Sequence, residues 1–179
     1  MELQEVIEKR RSIRDYVPGV VIPREDIDQI ISAAIMAPSW KNSQTARYVV
    51  VTSEECKNKL REEALPPFNQ NNTVSASAYI ITSFVKNRAG FDKDGNPDNE
   101  LGNEWGAYDL GLANSLLCLK AVELGYDTLI MGIRNSDKLR ELFDIPESEE
   151  VVSVLGLGKR NVEPKMPPRK AVEDVARFF

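Results

Sequence analysis

The stretch EWGAYDLGLANSLLCLKAVEL, residues 104–124, decides how this chain must fold. It contains no proline, and between Trp105 and Leu124 apolar side chains fall on nearly every face of a helix. Gly125 follows as a stop signal. A helix that is apolar around its whole circumference has to be covered on all sides. In a chain of 179 residues that means either a central position or a subunit interface.

Working outward, the segments on either side alternate between strand and helix patterns. Downstream, TLIMGI (128–133) reads as a short strand, 136–144 as a helix that Ser136 caps, and EVVSVLGLG (150–158) as a clear strand. Upstream, SAYIITSFV (77–85) and RYVVVTS (47–53) are β-branched runs and read as strands. Leu3, Val6 and Ile7 place a first helix at 2–10. Ile27, Ile30, Ile31, Ala34 and Ile35 recur at helical spacing after Pro23, and Pro38 ends that helix. Residues 54–65 read as helical, LPPFNQNN (65–72) as a loop, and 86–102, rich in Gly, Asn and Asp, as a surface excursion and candidate lid. Intermixed helices and strands define an α+β class around one mixed central sheet flanked by helices, with residues 1–179 as a single domain. The tail ends in Val175, Phe178 and Phe179, which need a surface to pack on.

Composition narrows the chemistry. The chain has no histidine, which excludes Ser-His-Asp and Cys-His catalysis, and its two cysteines, Cys56 and Cys118, lie outside any metal-ligand spacing. No metal is expected, and any redox or transfer chemistry falls to a bound cofactor. The net charge of −5 argues against nucleic acid as a partner. The first residues, MELQEVIEKRR, lack the apolar core of a secretory leader, and no run is long enough to cross a bilayer. With unpaired thiols, these features point to the cytoplasm and away from the membrane.

Against that acidic background, EKRRSIRDY sets Arg10, Arg11 and Arg14 around Ser12 at the end of the first helix. Arginine presents a planar fork of donors that suits a phosphate, and serine adds a short hydroxyl donor. The same charges also suit a helix C-terminus, where the dipole is negative, so an anion site and a solvated basic turn both stand at this point. A second stretch, APSWKNSQTARYVVV, packs Ser39, Asn42, Ser43 and Gln44 before a buried strand. These short polar groups can hydrogen-bond a heterocycle or simply stop a helix.

Together, RRSIRDY and APSWKNSQTARYVVV resemble the nitroreductase family of flavin enzymes. FNQNN, the long helix, IMGI and VLGLG before a Pro-rich basic tail follow in the family's order, so the resemblance covers nearly the whole chain. It implies an intertwined homodimer with one FMN at each of two interfacial sites, the long helix at the core of the interface, and NADH or NADPH as reductant. Carried over by position, Arg10, Ser12 and, partly through its backbone, Arg11 would hold the FMN phosphate and ribityl chain. Arg14 would sit by the pyrimidine end of the ring as an electrostatic group, with no side chain assigned as a catalytic acid or base. Pro38, Ser39, Trp40 and Asn42 would border the ring from the other subunit. Asn69 would contact the ribityl or ring edge, and Ile130, Met131 and Gly132 would run along the ring. Arg169 and Lys170 would complete the phosphate pocket, with Lys159 and Arg160 as weaker candidates. The implied activity is electron transfer by a ping-pong route to a nitroaromatic, a quinone or another conjugated electrophile. The alternatives are a flavin-storage protein and a relative doing dehydrogenation or flavin breakdown. Three departures bear on the acceptor: Thr45-Ala46 follows Gln44 where Pro-Trp is common, Asn72 replaces a frequent cation, and Trp40 stands where a small residue is usual.

Overall fold

A computed structural model describes residues 1–179. Four strands, β1 (Ala46–Val51), β2 (Ala78–Val85), β3 (Asp127–Met131) and β4 (Glu149–Gly158), form one sheet in the order β1-β2-β4-β3. All three pairings are antiparallel. The sheet's mixed character comes from one parallel bridge, Ser12 to Thr128, on the outer side of β3. The helices are α1 (Leu3–Lys9), α2 (Arg24–Ala34), α3 (Glu54–Lys59), α4 (Pro67–Asn72), α5 (Glu104–Glu123) and α6 (Ser136–Phe143).

The central strands β2 and β4 are buried on both faces, which is why they read as continuous apolar runs rather than alternating ones. Successive residues of β2 serve opposite cores. Tyr79 and Ile81 pack with Ile13, Leu60, Leu139 and Val154 on one face, while Ala78 and Ile80 pack with Ile27, Ile30, Leu117 and Leu157 on the other. The second core lies beneath α2 and α5.

Two local expectations need correction. Residues 67–72 are helical, not loop: Pro67 occupies the first helical position, where no N–H is required, and Gln70 Nε2 donates to the Leu65 carbonyl at 2.8 Å. A run of Asn and Gln without apolar periodicity hid this turn. α6 is capped by Asn135, whose Oδ1 accepts from Lys138 N at 3.1 Å, rather than by Ser136, which is its first helical residue. The segment after α3, Leu60–Ala64, continues as a π-helical turn that buries Leu60 and Ala64.

α5 packs against α2 and β2, but the protomer covers only part of its circumference. Gly106, Leu110, Ala113, Leu117, Cys118, Ala121 and Val122 are buried. Tyr108 is 58% exposed, Gly111 and Ser115 are exposed, and Leu112, Leu116 and Leu119 are half-buried on the other side. The tail beyond Asn161 is exposed almost throughout, including Phe178 and Phe179. No helix is long and apolar enough to cross a membrane.

Candidate functional site

The arginine turn is fixed by the two apolar residues inside it. Ile13 and Tyr16 are fully buried, so the residues between and before them are pushed outward: Ser12 and Arg14 are exposed and Arg10 is half-buried. Tyr16 lies over β4, its hydroxyl donating to the Gly156 carbonyl at 3.2 Å. A Cβ at Gly158 would come within 2.8 Å of the Tyr16 ring, so the second glycine of VLGLG is required by this close approach. Burial raises the Tyr16 phenol well above its ordinary range, and the hydroxyl stays protonated as a donor.

The arginines divide between two tasks. Arg11 Nη1 donates to the carbonyls of Glu8 at 2.5 Å and Arg10 at 2.7 Å. It caps the end of α1, leaving its backbone as the part available to a ligand. Arg160, one of the weaker phosphate candidates, grips buried Asp127 with two bonds of 2.9 and 2.6 Å and donates to the Lys9 carbonyl at 3.0 Å. Its charge is spent on joining β3, β4 and α1. Arg14 reaches only the Ser12 carbonyl, at 3.4 Å. Arg10, Ser12 and Arg14 thus remain as outward donors.

These donors stand at the head of an open strand edge. Ile13 N donates to the Thr128 carbonyl at 3.0 Å, which shows that Thr128 directs its backbone groups away from β4. By the alternation of an antiparallel pair, Ile130 does the same two residues on. The Ile130 side chain is half-exposed there, and Gly132 follows with open space where a Cβ would stand. Met131 differs from its neighbours: its side chain is buried in the core beside Leu129 and Leu139, so only its backbone can border a ligand. Asn69, buried on α4, donates through Nδ2 to the Ile133 carbonyl at 3.2 Å. The structure therefore brings Arg10, Ser12, Arg14, Asn69, Ile130 and Gly132 to one edge of the sheet.

Pro38, Ser39, Trp40 and Asn42 lie at the other edge, on the loop entering β1. The two groups lie at the outermost strands, three spacings of about 4.8 Å apart, so one protomer does not unite them. The loop is held in an unusual shape. Lys41, Asn42 and Gln44 all take left-handed backbone conformations (φ 47°, 56° and 48°), at a cost on the order of 1 kcal/mol or more each. Asp109 of α5 accepts the Trp40 N–H at 2.8 Å, and Ser39 Oγ accepts the Gln44 N–H at 3.0 Å. The Trp40 ring packs against Trp105 with centroids 4.5 Å apart and the ring planes tilted by 47°. Burial lifts the Asp109 carboxyl above the usual carboxylate range, and the Trp40 hydrogen bond draws it part-way back. Sequence reasoning passed over Asp109, although a lone acid inside the apolar run WGAYDLGLA was a visible signal.

The excursion 86–102 is folded against this loop. Lys41 pairs with Asp98 at 2.7 Å, and Trp105 Nε1 donates to Asn99 Oδ1 at 2.9 Å. Arg169 and Lys170 are exposed on the tail and make no hydrogen bond or ion pair with the arginine turn.

The sheet thus carries an arginine turn beside an open backbone edge on one side and the strained Pro38–Asn42 loop on the other. The chain belongs to the nitroreductase family, whose model matches residues 7–159. A NADPH-flavin oxidoreductase of Vibrio harveyi is 32% identical over 92% of this chain and 68% of its own length. YdgI of Bacillus subtilis, named provisionally as an NAD(P)H nitroreductase, is 28% identical over 99% of this chain and 97% of its own. A crystal structure from Exiguobacterium sibiricum, in complex with FMN, superposes with a TM-score of 0.82 at 28% identity, covering 100% of this chain and 98% of that one.

Proposed function

We propose that this protein is a cytoplasmic, homodimeric FMN-dependent oxidoreductase. It passes electrons from NADH or NADPH to a conjugated electrophile such as a nitroaromatic or a quinone. The observation that carries the reading is the division of the site residues between opposite sheet edges. The arginine turn and open β3 edge supply one half of a flavin site, and the Pro38–Asn42 loop of a second copy supplies the other.

The donor set fits the cofactor. Arg10 and Ser12 bind the phosphate and ribityl chain by charge-assisted bonds, and Arg14 holds a fixed positive charge at the pyrimidine end of the ring. Asn69, anchored through Ile133, keeps its amide oxygen for the ring or ribityl edge, while Ile130 and Gly132 turn backbone groups toward the ring. In the partner, Ser39, Trp40 and Asn42 close the other side and exclude water. Arg169 and Lys170 reach a phosphate only if the exposed tail wraps the second subunit, which also gives Phe178 and Phe179 a surface and covers the open face of α5. FMN, when bound, supplies the redox chemistry of a ping-pong cycle between nucleotide and acceptor. The chain's contributions are orientation and electrostatics, in keeping with a protein that has no histidine.

An absorption spectrum of the purified protein, light scattering for mass, and anaerobic titration with NADPH and NADH test this directly. A yellow dimer bleached by either nucleotide and reoxidised by menadione or nitrofurazone supports the reading. A yellow dimer inert to both nucleotides indicates storage, and a colourless monomer that takes up no FMN ends the proposal.

A further inference from the structure

β3 ends at Met131, paired with Val154, while β4 extends to Glu149, so residues 149–153 of β4 have no β3 neighbour. Arg134 fills that gap from the chain leaving β3. Its Nη1 donates to the Gly132 carbonyl at 3.0 Å and its Nη2 to the carbonyl of buried Val151. One residue on, Asn69 Nδ2 holds the Ile133 carbonyl at 3.2 Å. The turn after β3 is thus gripped by its carbonyl groups, one tied to β4 and the next to α4.

In a planar trans peptide the N–H points opposite to the carbonyl. Where Arg134 claims the Gly132 carbonyl, the Ile133 N–H faces the other way. Where Asn69 claims the Ile133 carbonyl, the Arg134 N–H does the same. The N–H groups of Gly132, Ile133 and Arg134 donate to no backbone carbonyl and to no side chain of the protomer. Gly132 and Ile133 are exposed, Ile133 by 65%. Successive unclaimed N–H groups of this kind suit an electron-rich partner.

As a staple for the fold alone, Arg134 is unfavourable. Its guanidinium is half-buried, bonds only neutral carbonyls and enters none of the protomer's ion pairs. Its Nε is enclosed without an acceptor, although buried donors are normally satisfied.

We propose that Arg134 is a positioning residue for electron transfer: by holding the Gly132 carbonyl, it presents the N–H groups of 132–134 to the flavin ring and raises the cofactor's midpoint potential. The inference rests on the proposed function, which sets Gly132 along the ring. Reduction adds negative charge to the ring, so donors there stabilise the reduced form more than the oxidised one, and a carbonyl turned the same way does the reverse. Without Arg134 the peptide after Gly132 turns readily, because glycine tolerates conformations closed to other residues.

The test compares the FMN-loaded wild-type dimer with Arg134→Ala and with Arg134→Met, which keeps the packing of the aliphatic stem and loses the donors. In both variants reduced FMN is expected to bind about tenfold more weakly relative to oxidised FMN, a midpoint lower by about 30 mV for a two-electron couple. Arg134→Lys, able to donate to both carbonyls, should recover the wild-type midpoint. Amide hydrogen exchange gives a second readout. Binding of oxidised FMN should slow exchange at Ile133 and Arg134 in the wild type and at neither position 133 nor 134 in Arg134→Met, while the Ile13 amide, bonded to Thr128, is protected in both. If Arg134→Ala does not fold, Arg134→Met carries the same comparison. An unchanged midpoint overturns the inference, as does equal weakening of both oxidation states, the mark of a purely structural role, or a wild type whose 132–134 amides FMN leaves unprotected. A wild type that takes up no FMN fails the proposed function itself, and this inference with it.

Discussion

The backbone N–H of Trp40 donates to the buried carboxylate of Asp109 at 2.8 Å, joining a strained loop to the helix at the centre of the molecule across 69 positions of sequence. Asp109→Ala leaves that donor without its partner in a partly buried place, a loss of about 1–3 kcal/mol. We expect altered tryptophan fluorescence from the Trp40–Trp105 pair and weaker FMN retention. Asp109→Asn keeps an acceptor oxygen and should restore both. The pH dependence has a definite sign. Because burial raises the folded-state pKa, the carboxyl's contribution is fully present below the ordinary carboxylate pKa and is lost as pH rises through the raised value. Denaturation midpoints across acidic pH should show wild-type stability falling relative to Asp109→Asn as pH increases.

Arg10→Ala removes one charge-assisted donor from the turn, worth about 1.5–3 kcal/mol to a bound anion, or roughly ten- to hundredfold in affinity. Fluorescence titration of the apoprotein with FMN measures it. Riboflavin, which lacks the phosphate, should bind wild type and variant alike.

Arg14→Ala should act on potential more than on affinity, because a cation near the ring's pyrimidine end stabilises the reduced, negatively charged form. Potentiometry is expected to show a lower midpoint, and an unchanged midpoint places Arg14 elsewhere.

Asp127 and Arg160 form the bond that fixes the root of β3, with side chains 5% and 21% exposed. Asp127→Ala strands the Arg160 charge and should cost about 3 kcal/mol, the lower end of what removing one partner of a buried pair costs. The double variant with Arg160→Leu should recover part of that loss in urea unfolding.

Gly106 sits where α5 crosses β2, and an added Cβ would fall 2.2 Å from the Phe84 ring. Gly106→Ala should therefore destabilise by about 2 kcal/mol despite alanine's better helix propensity. Thermal unfolding would report a midpoint lower by on the order of 4–8 °C.

Much of this protein was readable from its chain because the signals are local. The apolar circumference of 104–124 requires a helix with little solvent contact, and the β-branched runs at Tyr48–Val51 and Ile80–Val85 require strands. The absence of histidine excluded whole classes of chemistry before any coordinates. What the sequence left open depends on contacts between distant residues. Only the folded chain shows that Arg11 caps α1 while Arg10 stays outward, and that Arg160 is held by Asp127 rather than offered to a ligand. Met131 likewise gives its side chain to the core while Ile130 faces out, because a strand's alternation becomes inside and outside only once a sheet exists. The separation of the arginine turn from the Pro38–Asn42 loop follows from the strand order, since which edges lie apart is set by long-range pairing that no local pattern encodes.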